Sequence, residues 1–310
     1  MAIVVLGTVF VDIKGFPDDV YSPTGRNAGR VEVVHGGVGR NVAEDIANVE
    51  LRPTLVSMVD DTAAGAEVLR KLQNHKVNTD YVEVCPDGMG IWLAVFDNTG
   101  DLAGSISKRP NMDPLVALLD EKGDEIFAEC DSIVVEIDMD KEIIKRVIHY
   151  AGKYGKKLFA VVSNMVIASQ RRDFLHHIDC FVCNLQEAGI LFVDDFSAME
   201  PEELSQELYT RLVNANIPSM VVTMGSRGSV YASRDGERGY FPPETVKVRD
   251  TTGAGDAFCA GVAAGLTYGK SLPEAVRIGT HLAASVITVS ESTCPRFLPQ
   301  ELGLDIEVTD

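Results

Sequence analysis

Apolar residues along the chain gather in short continuous runs separated by segments of helical spacing. The runs are AIVVLG (2–7), TLVSMV (54–59), SIVVEI (132–137), KKLFAVV (156–162), CFVCN (180–184) and SMVVTMG (219–225). Between them, NVAEDIANVE (41–50), AGAEVLRKLQ (64–73), KEIIKRVIHYAGKYG (141–155) and ELSQELYTRLVNAN (203–216) repeat apolar residues every three or four positions. Unbroken apolar strands alternating with helices predict a mostly parallel central sheet covered on both faces, a three-layered α/β fold. Residues 254–269 and 272–290 predict two long, largely buried helices.

Two regions break this rhythm. Residues 13–34 and 89–107 are too polar or too alternating for doubly covered strands, and Asp97-Asn98-Thr99-Gly100 marks a hairpin turn in the second. Both predict a small sheet projecting from the main domain, placed to cover a site or to pair with a second subunit. The expected organisation is a main domain of residues 1–12, 35–88 and 108–310 with lid insertions at 13–34 and 89–107. Residues 302–310 read as a short acidic tail.

Composition narrows the function. With 310 residues, 45% hydrophobic and 24% charged, the chain can bury a sizeable core. A formal net charge of −18 argues against a nucleic-acid surface, which depends on Lys and Arg to neutralise phosphates. No apolar run reaches the roughly 18–20 residues of a membrane span. The first residues lack the basic flank of a leader and read as a buried strand, so the cytoplasm is the expected compartment. Of six cysteines, Cys180 and Cys183 form the one C-x-x-C, without partners for a zinc set, so a structural role is expected. The adjacent His176 and His177 read as surface or cap residues.

The most informative segment is Asp250-Thr251-Thr252-Gly253-Ala254-Gly255-Asp256, between the apparent strand TVKVR (245–249) and an apolar helix. Small residues at 253–255 let backbone N–H groups approach an anion, and the helix start adds its positive dipole end. Asp256 could also be an ordinary helix-start carboxylate. It is no dinucleotide fingerprint, because Phe258 stands where the third glycine belongs, and Gly269-Lys270-Ser271 lacks the phosphate-loop glycine at position 264. A second glycine segment, Gly36-Gly37-Val38-Gly39-Arg40-Asn41, opens a helix, with Asn41 able to hold a sugar diol. Asp12 lies just past the first strand, where open α/β sheets place ligands. Asn184-Leu185-Gln186-Glu187 and Thr223-Met224-Gly225-Ser226-Arg227-Gly228 follow two later strands.

In this order and spacing the five segments resemble the ribokinase family of sugar and nucleoside kinases, across essentially the whole chain. Within it, Gly-Gly-Val-Gly-Arg-Asn-Val-Ala at 36–43, Asp-Asn-Thr-Gly at 97–100 and Asn111-Met112 are closest in wording to the pseudouridine kinases. The resemblance implies ATP- and Mg²⁺-dependent phosphoryl transfer to a hydroxyl of a small sugar or nucleoside, here the 5′-hydroxyl of pseudouridine. Ribose and other nucleosides are alternative acceptors, and a catalytically silent ligand-binding relative is the reading from another class. It implies Asp256 as general base and the N–H groups of Gly253, Ala254 and Gly255 as an anion hole. Asn184, Thr223, Gly225 and Gly228 would serve the nucleotide, and Asp12, Gly36, Gly37 and Asn41 the acceptor. Glu187 would reach Mg²⁺ through water, and Asp250 and Thr252 would help hold a monovalent cation such as K⁺. The lid strands themselves could cover the site or pair two copies into a homodimer. Val162-Ser163-Asn164 departs from the acidic loop of many relatives. Glu136 could face the acceptor or be a structural charge, and Lys108-Arg109 could meet a substrate phosphate or solvent.

Overall fold

The computed structural model describes residues 2–304. The strands are β1 (Ile3–Leu6), β2 (Phe10–Pro17), β3 (Gly29–Gly36), β4 (Thr54–Val59), β5 (Asn78–Val84), β6 (Gly90–Phe96), β7 (Leu102–Lys108), β8 (Ser132–Glu136), β9 (Lys157–Val161), β10 (Cys180–Asn184), β11 (Ser219–Thr223), β12 (Ser229–Ser233) and β13 (Arg238–Phe241). The helices are α1 (Val38–Asn48), α2 (Ala63–Asn74), α3 (Asp113–Ala128), α4 (Lys141–Tyr154), α5 (Met165–Ala168), α6 (Leu185–Phe192), α7 (Pro201–Ala215), α8 (Ala254–Thr267) and α9 (Leu272–Val286).

Nine strands form one sheet in the order β13-β12-β11-β10-β9-β8-β1-β4-β5. All neighbours from β11 to β5 run parallel, and the β12 and β13 edge is antiparallel. Successive side chains of a strand point to opposite faces, so Val4 and Leu6 join one apolar core while Ile3 and Val5 join the other. Helices α3–α7 cover the first face, and α1, α2, α8 and α9 the second. This is the expected three-layer α/β fold with a mostly parallel central sheet. Cys180 and Cys183 belong to opposite cores, so they cannot share a ligand; both are free thiols.

The small sheet runs β3-β2-β6-β7. Its strands reach beyond 13–34 and 89–107, and Asp12 lies inside β2 rather than at the end of β1. Register puts Val33, Ile13, Leu93 and Ile106 in one row across all four strands, on the face turned from the main domain. Val33 and Ile106 are 65% and 70% exposed. Asp12 and Lys14 lie on the opposite, buried face. The hairpin turn closes on Asp97 Oδ1, which accepts from the Thr99 and Asp101 N–H groups at 2.8 and 3.0 Å.

Three expectations differ. Residues 245–249 form no strand; Arg249 N–H instead donates to Ile287 O at 2.7 Å, tying the segment to the end of α9. Helix α9 stops at Val286, short of Ser290, and the chain turns back toward α1. Of the expected tail, Leu302 and Leu304 are packed into the core, and residues 305–310 lie outside the described residues.

Candidate active site

The predicted residues converge at the carboxyl end of the parallel strands. Gly39 sits against the turn after β1 so closely that a Cβ there would lie 2.5 Å from Gly7 Cα. Gly37 adopts φ 97°, a conformation that favours glycine, and caps the start of α1 without a side-chain bond. Gly36 lies under Asp12, whose Oδ2 is 2.3 Å from where a Cβ would stand. The three glycines therefore bring Asp12 and α1 together over the end of the sheet. Asp12 is 9% exposed, and no described residue hydrogen-bonds its carboxylate. Burial raises its pKa, opposed by the charges of Lys14 and Arg40. A mostly buried carboxylate without a partner is poised to accept ligand hydroxyls.

Helix α8 opens the same cleft. Its cap Gly253 has φ 81° and no side-chain cap. A Cβ at Gly253 would come within 2.0 Å of Ser292 O, so the turn needs glycine for close approach as well as for conformation. Ala254 N–H donates to Thr251 O at 3.3 Å, and no described group accepts from the N–H groups of Gly253 or Gly255. Bare donors at a helix start form an anion site. Asp256, in the first turn, accepts Asn41 Nδ2–H at Oδ2 (2.7 Å), while Oδ1 accepts from no described residue. Burial pushes its pKa up to about 6; Asn41 and Arg40 oppose this, and the charges of Glu187 and Asp12 add to it. A carboxylate with one free oxygen and a pKa near neutrality is a competent general base.

Asn41 is committed: it donates to Asp256, and its Oδ1 accepts from Ser292 Oγ at 3.3 Å. One Nδ2 hydrogen remains for an acceptor hydroxyl. Arg40, 1% exposed, donates to Glu44 Oε2 (2.8 Å), Ser292 Oγ (3.0 Å), Gly36 O (3.4 Å) and His35 O. Glu44 is also buried; Lys71 lies 3.2 Å from its Oε1, and Thr293 Oγ1 donates to it at 3.1 Å. Burial would raise Glu44, but Arg40 and then Lys71 outweigh it and keep the carboxyl below its usual range.

Asn184 and Thr223 are register partners at the ends of β10 and β11. Asn184 caps α6 reciprocally with Glu187: Oδ1 accepts Glu187 N–H (2.9 Å), and Glu187 Oε2 accepts Asn184 N–H (2.7 Å). Gly225 (φ 58°) and Gly228 (φ 84°) shape the turn after Thr223, closed by Met224 N–H to Gly228 O at 2.8 Å. The described residues contain no cluster of three or more His, Cys, Asp or Glu to cage a metal. Glu187, with one oxygen engaged, fits Mg²⁺ that keeps most of its waters.

Glu136 is buried and accepts Thr8 N–H and Oγ1–H, both at 2.8 Å, so it fixes the turn after β1 and does not face an acceptor. Burial and the charge of Asp138 raise its pKa. Ser163 N–H and Oγ–H donate to Asp138 at 2.9 and 2.8 Å, which accounts for that loop without an acidic group. Arg109 turns inward to Asp138 Oδ2 at 3.1 Å, while Lys108 pairs with exposed Asp87. His176 and His177 are exposed.

Three residues were missed. Ser292 carries no motif. Trp92 is the register partner of Asp12 in β6 and shares its face; T-shaped packing on Phe96 at 6.5 Å, and Phe96 stacked on Phe16 at 4.8 Å, continue an aromatic shelf. Lys14, two residues beyond Asp12 and so on the same face, donates to Thr252 Oγ1 at 3.3 Å and lies 4.0 Å from Asp250 Oδ2. That period of two was the signal available. Asp250 Oδ1 accepts the N–H and Oγ1–H of Thr252, both at 2.8 Å. Asp250 and Thr252 thus already face an ammonium, and unit charges about 4 Å apart repel by about 4 kcal/mol at an effective dielectric constant near 20. They do not fit a free monovalent ion while Lys14 is in place.

A carboxylate with one free oxygen beside bare helix-start donors offers the proton acceptor and the anion site that phosphoryl transfer requires. Residues 2–296 match the model of the pfkB family of carbohydrate kinases. The chain belongs to that family. It is 35% identical to the guanosine-inosine kinase of Exiguobacterium acetylicum over 292 residues, covering 94% of this chain and 95% of that one. It is 24% identical to the pseudouridine kinase of Escherichia coli K12, covering 94% and 92%. The structure of Arabidopsis thaliana ribokinase complexed with ribose and ATP superposes with TM-score 0.81 at 21% identity, covering 99% and 100%. The chain is thus a sugar or nucleoside kinase of the pfkB family.

Within this kinase, Arg40→Met removes the buried partner of Glu44 Oε2 and leaves the half-buried Lys71 as its nearest cation, so unfolding free energy should fall by about 2 kcal/mol or more. Adding Glu44→Gln should restore at least about half of that loss, read from urea unfolding. An Arg40→Met protein within about 1 kcal/mol of the parent would contradict the network described above.

Proposed function

We propose that this kinase transfers the γ-phosphoryl group of ATP to the 5′-hydroxyl of a nucleoside. The observation carrying the reaction is Asp256, with one oxygen fixed by Asn41 and the other free, at a turn of unclaimed N–H groups. Asp256 takes the proton of the attacking hydroxyl, and the free N–H groups of Gly253 and Gly255 steady charge on the transferred group, Ala254 N–H being held by Thr251 O. Asp12, Asn41 and the backbone at Gly36 and Gly37 orient the acceptor. Asn184, Thr223, Gly225 and Gly228 receive the nucleotide, with Glu187 toward the water shell of Mg²⁺. When bound, Mg²⁺ neutralises triphosphate charge.

Trp92 favours a nucleoside over a bare sugar. It lies beside Asp12 on the lid face above the cleft, and stacking of a base on an aromatic ring contributes about 1–3 kcal/mol. The guanosine-inosine kinase, more similar than the pseudouridine kinase, favours a purine nucleoside. Pseudouridine is the second reading, supported by the lid wording at 97–100. No helix among the described residues is long and apolar enough to cross a membrane, and the six free cysteines suit a reducing cytoplasm. The apolar row of exposed Val33, Leu93 and Ile106 with half-buried Ile13 is read as the face that meets the lid of a second copy.

Three outcomes follow. ADP release with Mg-ATP should be fastest with guanosine or inosine, and Trp92→Ala should raise KM for the nucleoside at least about tenfold; equal turnover of ribose would overturn the nucleoside assignment. Asp256→Asn should lower kcat about a hundredfold or more, and kcat/KM of the parent should fall below pH about 6 as Asp256 is protonated. Turnover within a fewfold of the parent, or no acid limb, would remove Asp256 as base. Leu93→Lys with Ile106→Lys should convert a dimer into monomers by sedimentation; an unchanged mass would exclude the lid contact.

A further inference from the structure

Lys14 is the one charged group of β2 that reaches from the lid to the segment preceding the anion hole. It is 7% exposed, so its ammonium has left bulk water and depends on local partners. Those partners form a chain: Lys14 Nζ donates to Thr252 Oγ1, and Thr252 Oγ1 donates to Asp250 Oδ1. Burial works against ionisation of Asp250, but the N–H and hydroxyl of Thr252, and then Lys14, outweigh it and hold the carboxyl below its usual range. The ammonium also borders a cavity of about 490 Å³ lined by His35, Lys71, Asp250, Thr252 and Ser292. A fixed positive charge therefore stands one residue before Gly253, where the resemblance to related kinases calls for a dissolved ion.

We propose that Lys14 is a resident substitute for a monovalent cation: its ammonium, brought in by the lid, supplies the positive charge beside the 253–255 turn, so the kinase works without potassium. This rests on the phosphoryl-transfer reading. It also joins two events, because a cation carried on β2 reaches Thr252 only when the lid lies over the cleft. A dissolved ion could bind with the lid in any position.

The test compares the parent, Lys14→Met and Lys14→Arg in potassium chloride and in tetramethylammonium chloride of equal ionic strength. Parent turnover should agree within about twofold between the salts, and its melting temperature within about 1 °C, since an ion that does not bind the folded state cannot stabilise it. Lys14→Met should lose about tenfold or more in kcat in tetramethylammonium. Its kcat should recover and its melting temperature should rise with potassium or ammonium, or Lys14→Arg should retain turnover where Lys14→Met does not. The proposal is overturned by any of three results. These are a parent that loses about tenfold without potassium or melts several degrees higher with it, a Lys14→Met protein equal to the parent without potassium, or Met and Arg variants equally impaired and indifferent to every cation. The melting comparison needs no acceptor, so it decides on Lys14 even if no nucleoside is turned over.

Discussion

Helix α1 is buried along its whole length from Gly39 to Asn48, yet it carries polar side chains at 41, 44, 45 and 48. All four lie on one stripe at helical spacing, and all four bind the same short segment after α9. Asn41 accepts from Ser292, Glu44 from Thr293, and Asp45 from Cys294 N–H at 2.6 Å; Asn48 donates to Cys294 O at 2.7 Å. The opposite stripe, Val42, Ile46 and Val49, is packed into the apolar core. This polar seam fixes residues 292–294 against Gly253, and so sets the bare turn relative to Asn41 and Asp256. Buried polar groups destabilise unless they are bonded, which makes the seam specific. Its cost is visible at Asp45, whose Oδ2 has no partner and whose pKa burial drives well upward.

The seam also decides the electrostatics. Asp12, Asp256 and Glu187 gather at the cleft, and the charges of Glu187 and Asp12 disfavour ionisation of Asp256, as expected of like charges in a low-dielectric site. Arg40 counters this from beneath, lowering the pKa of both Asp12 and Asp256, while Lys14 counters it from the lid. The balance leaves the pKa of Asp256 at about 6, in the range that suits the general-base role proposed for it. A net charge of −18 is thus compatible with phosphate chemistry because backbone donors and two buried cations act locally.

The three layers were legible because buried parallel strands are continuous apolar runs and their covering helices keep a regular period. The site was legible where backbone conformation restricts residue type, as at Gly37 and Gly253, and where a motif fixes spacing, as in the Asn184–Glu187 capping box. What escaped was set by long-range pairing. Trp92 meets Asp12 only through the β2–β6 register, across roughly eighty residues of chain. Ser292 gains its role from Arg40 and Asn41, 252 and 251 positions earlier. The polar edge strand β5 and the false strand at 245–249 show the same limit, since the local pattern at an edge does not distinguish a strand from an extended loop.

A crystal structure with guanosine and a non-hydrolysable ATP analogue would test the geometry most directly. The account predicts the 5′-hydroxyl within about 2.6–3.2 Å of Asp256 Oδ1, the ribose diol on Asp12, the base on Trp92, and the terminal phosphate at the 253–255 turn. A nucleoside bound elsewhere, or an Asp256 carboxylate turned away from the hydroxyl with the turn empty, would contradict it.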